Sequence, residues 1–352
     1  MDFGLLSLPV LALSALLGYA VVFDTSAVMF HDIGVPNAIE SQGYTPKVMA
    51  ARLANEVRSI DQKARTVKDI RDFSLPDDDS AVNALSDYFQ FAEPVRATQE
   101  MLGLIRFTFN GDMVTRGDDL QLSVRGYGYN GRKPFNRSIS GKDPDQILHE
   151  MAVDIVRFID PYVVASYMYE TTRDANSKDF ASTIREVRYC MVHLPKSDLH
   201  WAYNLHGLVL TQQGKPQEAI ERFNEALKLK PDFLLPVYNT GNALLDMKQY
   251  DQAIAKFKEV LNRDVKGDIR TPHAYTQWGV ALMRQGRMDE AAQMMRKAIA
   301  VDPMYADAYY QLGQLLRQQG KAEEGREMIQ RAIDRAPQRM LYAAELNQVL
   351  TN

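Results

Sequence analysis

Gly126-Tyr127-Gly128-Tyr129-Asn130-Gly131 carries the GxGxxG spacing with which a backbone can approach a pyrophosphate. That chemistry needs a helix to begin directly after the glycines, so that its N-terminal N–H groups meet the phosphate charge. Arg132-Lys133-Pro134-Phe135 opens no helix at that spacing, and the segment reads as a hairpin turn. Gly141-Lys142 is followed by Asp143, where a P-loop needs a hydroxyl. The six histidines include no i, i+4 pair, and His149-Glu150 lacks the second histidine of a metalloprotease helix. Cys190 is the single cysteine, which excludes intrachain disulfides and cysteine-based zinc sites. It lies between Tyr189 and Met191 on a predicted helix and reads as a small core residue. Asn136-Arg137-Ser138 matches a glycosylation sequon, which would carry no meaning if the source is bacterial. No nucleophile, base and oxyanion donor come together. The expectation is a protein that is not an enzyme, with no catalytic, cofactor-binding or metal-ligating residues.

The elements that would position any site belong to a chain of 352 residues and 39.9 kDa, enough for two or three domains. A composition of 46% hydrophobic and 24% charged residues excludes wholesale disorder and a polytopic membrane protein. With 41 basic against 45 acidic residues the net charge is −4, not the basic surface that nucleic acid requires. No nucleic-acid partner is expected.

Residues 3–23, FGLLSLPVLALSALLGYAVVF, hold no charge before Asp24. As a helix rising 1.5 Å per residue they would span about 31 Å, matching the ~30 Å apolar core of a bilayer. A cleaved signal peptide would need a basic start, which residues 1–6 lack, and a buried soluble helix would show one polar face. All three readings stay open, with an uncleaved anchor over residues 1–24 as the expectation and the lipid bilayer as its partner.

Residues 27–160 change periodicity. Ala27–Val35 reads as a strand stopped by Pro36. Thr45-Pro46 caps a helix whose apolar face is Met49, Leu53, Val57 and Ile60. Pro94 opens a second helix through about Leu102. Strands are expected at Leu104–Phe109, at Leu120–Gly126 and at Phe135–Ile139, with turn chemistry at Gly117-Asp118 and Asn130-Gly131. A helix from Asp145 to Ile159 follows. The order of these elements, with Gly111-Asp112-Met113-Val114, Asp119–Val124 and Asn130-Gly131, resembles the amino-terminal domain of TolB-like and CsgG-like bacterial envelope proteins. That resemblance implies a small mixed α/β domain.

The last third repeats itself. Gly207, Gly241, Gly279 and Gly313 stand 34, 38 and 34 residues apart, each a short step after a tyrosine: Tyr203, Tyr238, Tyr275 and Tyr309. Twelve residues beyond each glycine come Ala219, Ala253, Ala291 and Gly325, then Phe223, Phe257, Met295 and Ile329. Pro231, Pro303 and Pro337 close three units. A small residue facing a large one at fixed spacing lets two antiparallel helices approach closely while the large side chain fills the gap. Gly214, Gly286 and Gly320 supply turns between the helices, but Lys248 replaces the turn glycine in the second unit. The pattern resembles the tetratricopeptide repeat (TPR) family. Residues 199–337 are four repeats on this reading, 161–198 a degenerate helical hairpin and 338–352 a capping helix.

By that resemblance, first-helix positions 2, 5, 9 and 12 of each repeat face a concave groove. They are Trp201, Asn204, Leu208 and Thr211; Leu235, Tyr238, Asn242 and Leu245; His273, Thr276, Val280 and Met283; Asp307, Tyr310, Gln314 and Arg317. The partner-binding candidates are Trp201, Asn204, Leu208, Tyr238, Asn242, His273, Thr276, Tyr310, Gln314 and Arg317. Amides can donate and accept along an extended peptide, and tyrosines add apolar area with a polar tip. A lysine clamp for a terminal carboxylate is not expected, since only Arg284 and Arg317 lie at suitable places. The expected architecture is α+β, with an N-terminal transmembrane helix, a small mixed α/β domain and a C-terminal all-α TPR solenoid. The expected function is a membrane-anchored scaffold that binds a protein or peptide, placed in a bacterial inner membrane with its bulk in the periplasm. A sensor or regulatory module of a bacterial signalling protein is the alternative.

Overall fold

The computed structural model describes residues 28–66, 68, 98, 99, 101, 102, 104–128, 134–264 and 270–337. They divide into two compact units, with the boundary between Tyr189 and Cys190.

In the first unit, β1 (Val28–Gly34) ends before Pro36, and α1 (Asn37–Glu40) is a single turn. Thr45 starts α2 (Pro46–Ala64): its hydroxyl accepts the Val48 N–H at 3.3 Å, and Pro46 occupies the first turn, where its missing N–H is not needed. The strands β2 (Phe107–Arg116), β3 (Asp119–Gly128) and β4 (Phe135–Gly141) complete a sheet of order β1-β2-β3-β4, with β1 parallel to β2 and the others antiparallel. Helix α3 (Pro144–Ile159) packs on β3 and β4, and α2 packs on β1. One sheet face therefore meets Met49, Leu53, Val57, Met151 and Ile155, while Leu120, Leu122 and Val124 alternate inward along β3. Helix α4 (Pro161–Asp174) adds Val163, Val164 and Tyr167 to the same core and ties to α2 through Ser166 Oγ, which donates to the Ala64 carbonyl at 2.8 Å. In α5 (Ala181–His193), Glu186 is buried and accepts two hydrogen bonds from Arg157 of α3 at 2.9 and 3.0 Å.

Strand β2 runs on to Arg116, well beyond the expected end at Phe109. Gly111 looks like a breaker in sequence, yet it is a ladder residue opposite Val124: a Cβ there would lie 2.4 Å from the Ser123 carbonyl, so only glycine lets the strands close. The Gly117-Asp118 turn follows, with φ of 62° at Gly117. The Asn130-Gly131 turn, most of the helix expected after Pro94 and the capping helix expected over residues 338–352 lie outside the described residues.

The expected membrane-crossing helix requires correction. Among the described residues no helix is long and apolar enough to cross a membrane, and residues 1–24 lie outside them. The apolar face of a packed helix such as α3 is matched by polar residues on its other side, which a bilayer core would not tolerate. The architecture is a small sheet domain followed by helical repeats. Placement as a single-pass inner-membrane protein, and the bilayer contact through residues 3–23, are withdrawn with the span.

The second unit is a succession of helix pairs: α6 (Leu199–Gln212) with α7 (Pro216–Leu229), α8 (Leu234–Asp246) with α9 (Tyr250–Arg263), α10 (Arg270–Arg284) with α11 (Met288–Val301), and α12 (Ala306–Gln318) with α13 (Ala322–Arg335). Each pair is pinned where sequence spacing placed it. A Cβ on Gly207 would lie 2.3 Å from the Phe223 ring, and one on Gly241 2.5 Å from the Phe257 ring, both rings being fully buried. First helices also touch in sequence, α6 on α8, α8 on α10 and α10 on α12, as stacked hairpins must.

Candidate binding groove

The first-helix row has a different fate at almost every step. Asn204 is 3% exposed, and its Oδ1 accepts Asn239 Nδ2 at 2.9 Å, so two repeats are joined by an amide pair inside the wall. Thr276 is fully buried and donates to the Pro272 carbonyl of its own helix at 2.9 Å. Tyr238 is buried, tilted on Phe257 and edge-on to His273. His273 is half-buried with its ring 4.4 Å from that of Tyr305, and Trp201 is half-buried with its ring 4.6 Å from Phe233. Leu208 is half-buried against the cluster of Leu210, Ala219, Phe223 and Ala243.

In the last repeat Gln314 Nε2 donates to the Tyr310 hydroxyl at 2.9 Å, one turn apart on α12. Gln314 and Arg317 then line an open depression of about 510 Å³ with Gln318 and Ala322. Burial raises the Asp246 carboxyl above its usual range, partly offset by Arg284, whose Nη1 donates to the Leu245 carbonyl at 3.4 Å.

Asn242 stands apart. It is half-buried on α8, and its Oδ1 is enclosed by protein with no hydrogen-bond donor among the described residues. A buried acceptor left unmatched costs on the order of 1–3 kcal/mol. The row therefore holds one amide that builds the wall, Asn204 bonded to Asn239, and one, Asn242, whose enclosed acceptor has no donor among the described residues.

Sequence reasoning passed over Asn239, Phe233 and Tyr305. The two aromatics each stand eight residues before their repeat glycine, Gly241 and Gly313, and that spacing was the available signal. Asn239 had no such signal, because its role depends on Asn204 of the preceding repeat. Among the described residues no three His, Cys, Asp or Glu side chains gather as a metal site.

These helix pairs, with a small residue against a large one in each, define a tetratricopeptide-repeat region. Residues 210–271 and 276–339 match tetratricopeptide-repeat family models, and such repeats are in general protein-interaction scaffolds without enzymatic activity of their own. The family matches fall in the repeats and give no support to a TolB-like or CsgG-like resemblance for residues 27–160. Among curated proteins, the chain is 31% identical over 113 residues to the DnaJ homolog subfamily C member 7 homolog of Schizosaccharomyces pombe, covering 29% of this chain and 24% of that protein. It is 36% identical over 87 residues to the small glutamine-rich tetratricopeptide repeat-containing protein 2 of Mycosarcoma maydis, covering 24% and 23%. The chain thus spans about a quarter of the length of the curated relatives it matches. Among solved structures, a thermophilic TPR protein of Thermus thermophilus is 15% identical with a TM-score of 0.47, covering 55% of this chain and 98% of that one.

Proposed function

We propose that the repeat unit holds an extended, uncharged polypeptide segment along its first helices, with Asn242 gripping the backbone. The observation that carries this reading is the enclosed, unmatched Oδ1 of Asn242 on the row expected to face the groove. A half-turn of the half-buried Asn242 amide would bring this oxygen to the groove side, where a backbone N–H of a bound segment would complete it and recover much of what the unmatched acceptor costs. The ligand's character follows from the wall. Of the twelve side chains at positions 2, 5, 9 and 12 in the first three repeats, none is Asp, Glu, Lys or Arg. Leu208, Leu235 and Met283 are half-buried there and offer apolar area to aliphatic side chains. Trp201, His273, Gln314 and Arg317 extend the surface, and the buried Asn204, Tyr238, Thr276 and Tyr310 hold its shape.

The test is a displayed peptide library panned against the full chain, followed by affinity measurement for the enriched peptides. Uncharged, aliphatic sequences are expected. Asn242→Leu should weaken them about tenfold, equivalent to 1.4 kcal/mol, while leaving the unbound protein at least as stable, since an unmatched acceptor is removed. Enrichment of strongly charged peptides, or affinity unchanged by the substitution, would move binding away from this row.

A further inference from the structure

We infer that β4 is a self-recognition edge, through which two copies of this chain join their sheets antiparallel about Ser138. The two edges of the sheet differ in their protection. Strand β1 carries a register shift between Phe30 and Ile33 and stops before Pro36, two features that spoil an edge for further pairing. Strand β4 has no register shift, and its flanking proline, Pro134, stands before the first paired residue, outside the seven that would join. Its seven residues pair with β3 in one unbroken register from Phe135 opposite Gly126 to Gly141 opposite Leu120, and among the described residues no strand lies on its other side. Asn136, Arg137, Ser138 and Ser140 are all exposed or half-buried at this edge. An open, regular strand without proline or lysine is a template for another strand.

The occupant follows from the strand's own sequence. A two-fold axis through Ser138 is the one register that uses all seven residues, and it sets Phe135 opposite Gly141, Asn136 opposite Ser140, Arg137 opposite Ile139 and Ser138 opposite its copy. A ring over a glycine is already how this sheet closes on β4's other side, where Phe135 faces Gly126. Ser138 lies 2.9 Å from Ser123, Oγ to Oγ, so the join would extend that pair into a row of four hydroxyls. The strand's only charge, Arg137, is matched by Asp154 of its own chain at 2.7 Å and meets Ile139 in this register, so like charges are not directly opposed. A join of one seven-residue strand is at the small end of interface sizes, so the dimer should be concentration-dependent.

The test uses the full chain. Sedimentation across a dilution series should show a monomer–dimer equilibrium. Ser138→Asp and Ser138→Lys should each be monomeric, because like charges stand directly opposed, and an equal mixture of the two should restore the dimer. These exposed substitutions leave the backbone pairing with β3 in place, and far-UV circular dichroism checks that the fold persists. Cys190 is buried, so a thiol at position 138 is the only exposed one. Ser138→Cys should therefore oxidise to a linked dimer, opposed Cα atoms being about 4.5–5.5 Å apart. Asn136→Cys alone should not, its copies lying roughly 14 Å apart along the strands, whereas mixing it with Ser140→Cys should give a mixed dimer. A protein monomeric at every soluble concentration, a dimer indifferent to Ser138→Asp, or linkage through Asn136→Cys alone would each overturn the inference.

Discussion

The contact of Gly241 with Phe257 is the clearest place to test why the repeats hold together. An alanine methyl at 241 would sit 2.5, 2.8 and 3.0 Å from three atoms of a ring that is fully buried, about 1 Å short of ordinary contact at the nearest. Overpacking of that kind costs about 1–3 kcal/mol, and replacing glycine in a helix returns about 1 kcal/mol. With the ring fully buried and the nearest contact 2.5 Å, the cost falls toward the upper end, and Gly241→Ala should lose up to about 2 kcal/mol. Gly279→Ala is the internal control: its nearest atoms, the Ala291 carbonyl and Met295 Cγ, are both at 3.0 Å, so the backbone need give only a few tenths of an ångström while the methionine side chain adjusts. There the two terms nearly cancel. The two tryptophans, Trp201 and Trp278, both lie in the repeats, so fluorescence-monitored urea unfolding of the full chain reports this unit selectively. In Gly241→Ala/Phe257→Leu the smaller side chain should accommodate the methyl, giving a coupling of about 1 kcal/mol or more. Equal losses at 241 and 279, or strict additivity in the double variant, would refute the packing account.

Two further outcomes follow from backbone and charge. Lys248 takes the left-handed turn conformation, φ 60°, that Gly286 and Gly320 take at 80°; Lys248→Gly should stabilise the repeats by about 1 kcal/mol in the same urea assay. Arg157→Ala would leave Glu186, with 9% of its side chain exposed, without its cation; a loss of about 3 kcal/mol is expected in thermal unfolding followed by circular dichroism, and a melt within about 0.5 °C of the parent would contradict the burial of that pair.

The repeats were legible because their chemistry is local and periodic. A fixed separation of small and large residues, Gly207 with Phe223 or Gly241 with Phe257, is imposed by close helix approach, and the helix pairs appear where that spacing places them. The capped start of α2 at Thr45 and the inward alternation of β3 were legible for the same reason. What failed to show was set by neighbours distant in sequence. Gly111 has the composition of a loop, and only the Ser123 carbonyl against it makes it part of a strand. Asn204 and Asn242 are the same residue type on the same expected face, but Asn239 satisfies one and no described residue satisfies the other. Hydropathy of residues 3–23 carried the reading of a membrane span; those residues lie outside the described ones, among which no helix is long and apolar enough to cross a membrane.

Departures from the repeat pattern gather in the second repeat, and their energetics suggest why. The turn after α8 makes the same bonds as its glycine-bearing equivalents: Lys248 N–H donates to the Leu245 carbonyl at 3.0 Å and Gln249 N–H to Leu244 at 2.9 Å, as Gly286 and Arg287 do to Met283 and Leu282 at 2.9 Å. A side chain in that conformation costs about 1–2 kcal/mol, and the unmatched Asn242 acceptor on the same helix costs a similar amount. A sequence selected only for stability would have glycine at the turn and an apolar residue on the row. Local rules broken together in one repeat, with no compensating donor among the described residues, point outward. A ligand donor at Asn242 is compensation that no described residue supplies, so binding and stability should oppose each other at this position: substitutions there that strengthen the empty protein should be the ones that weaken its hold on a peptide.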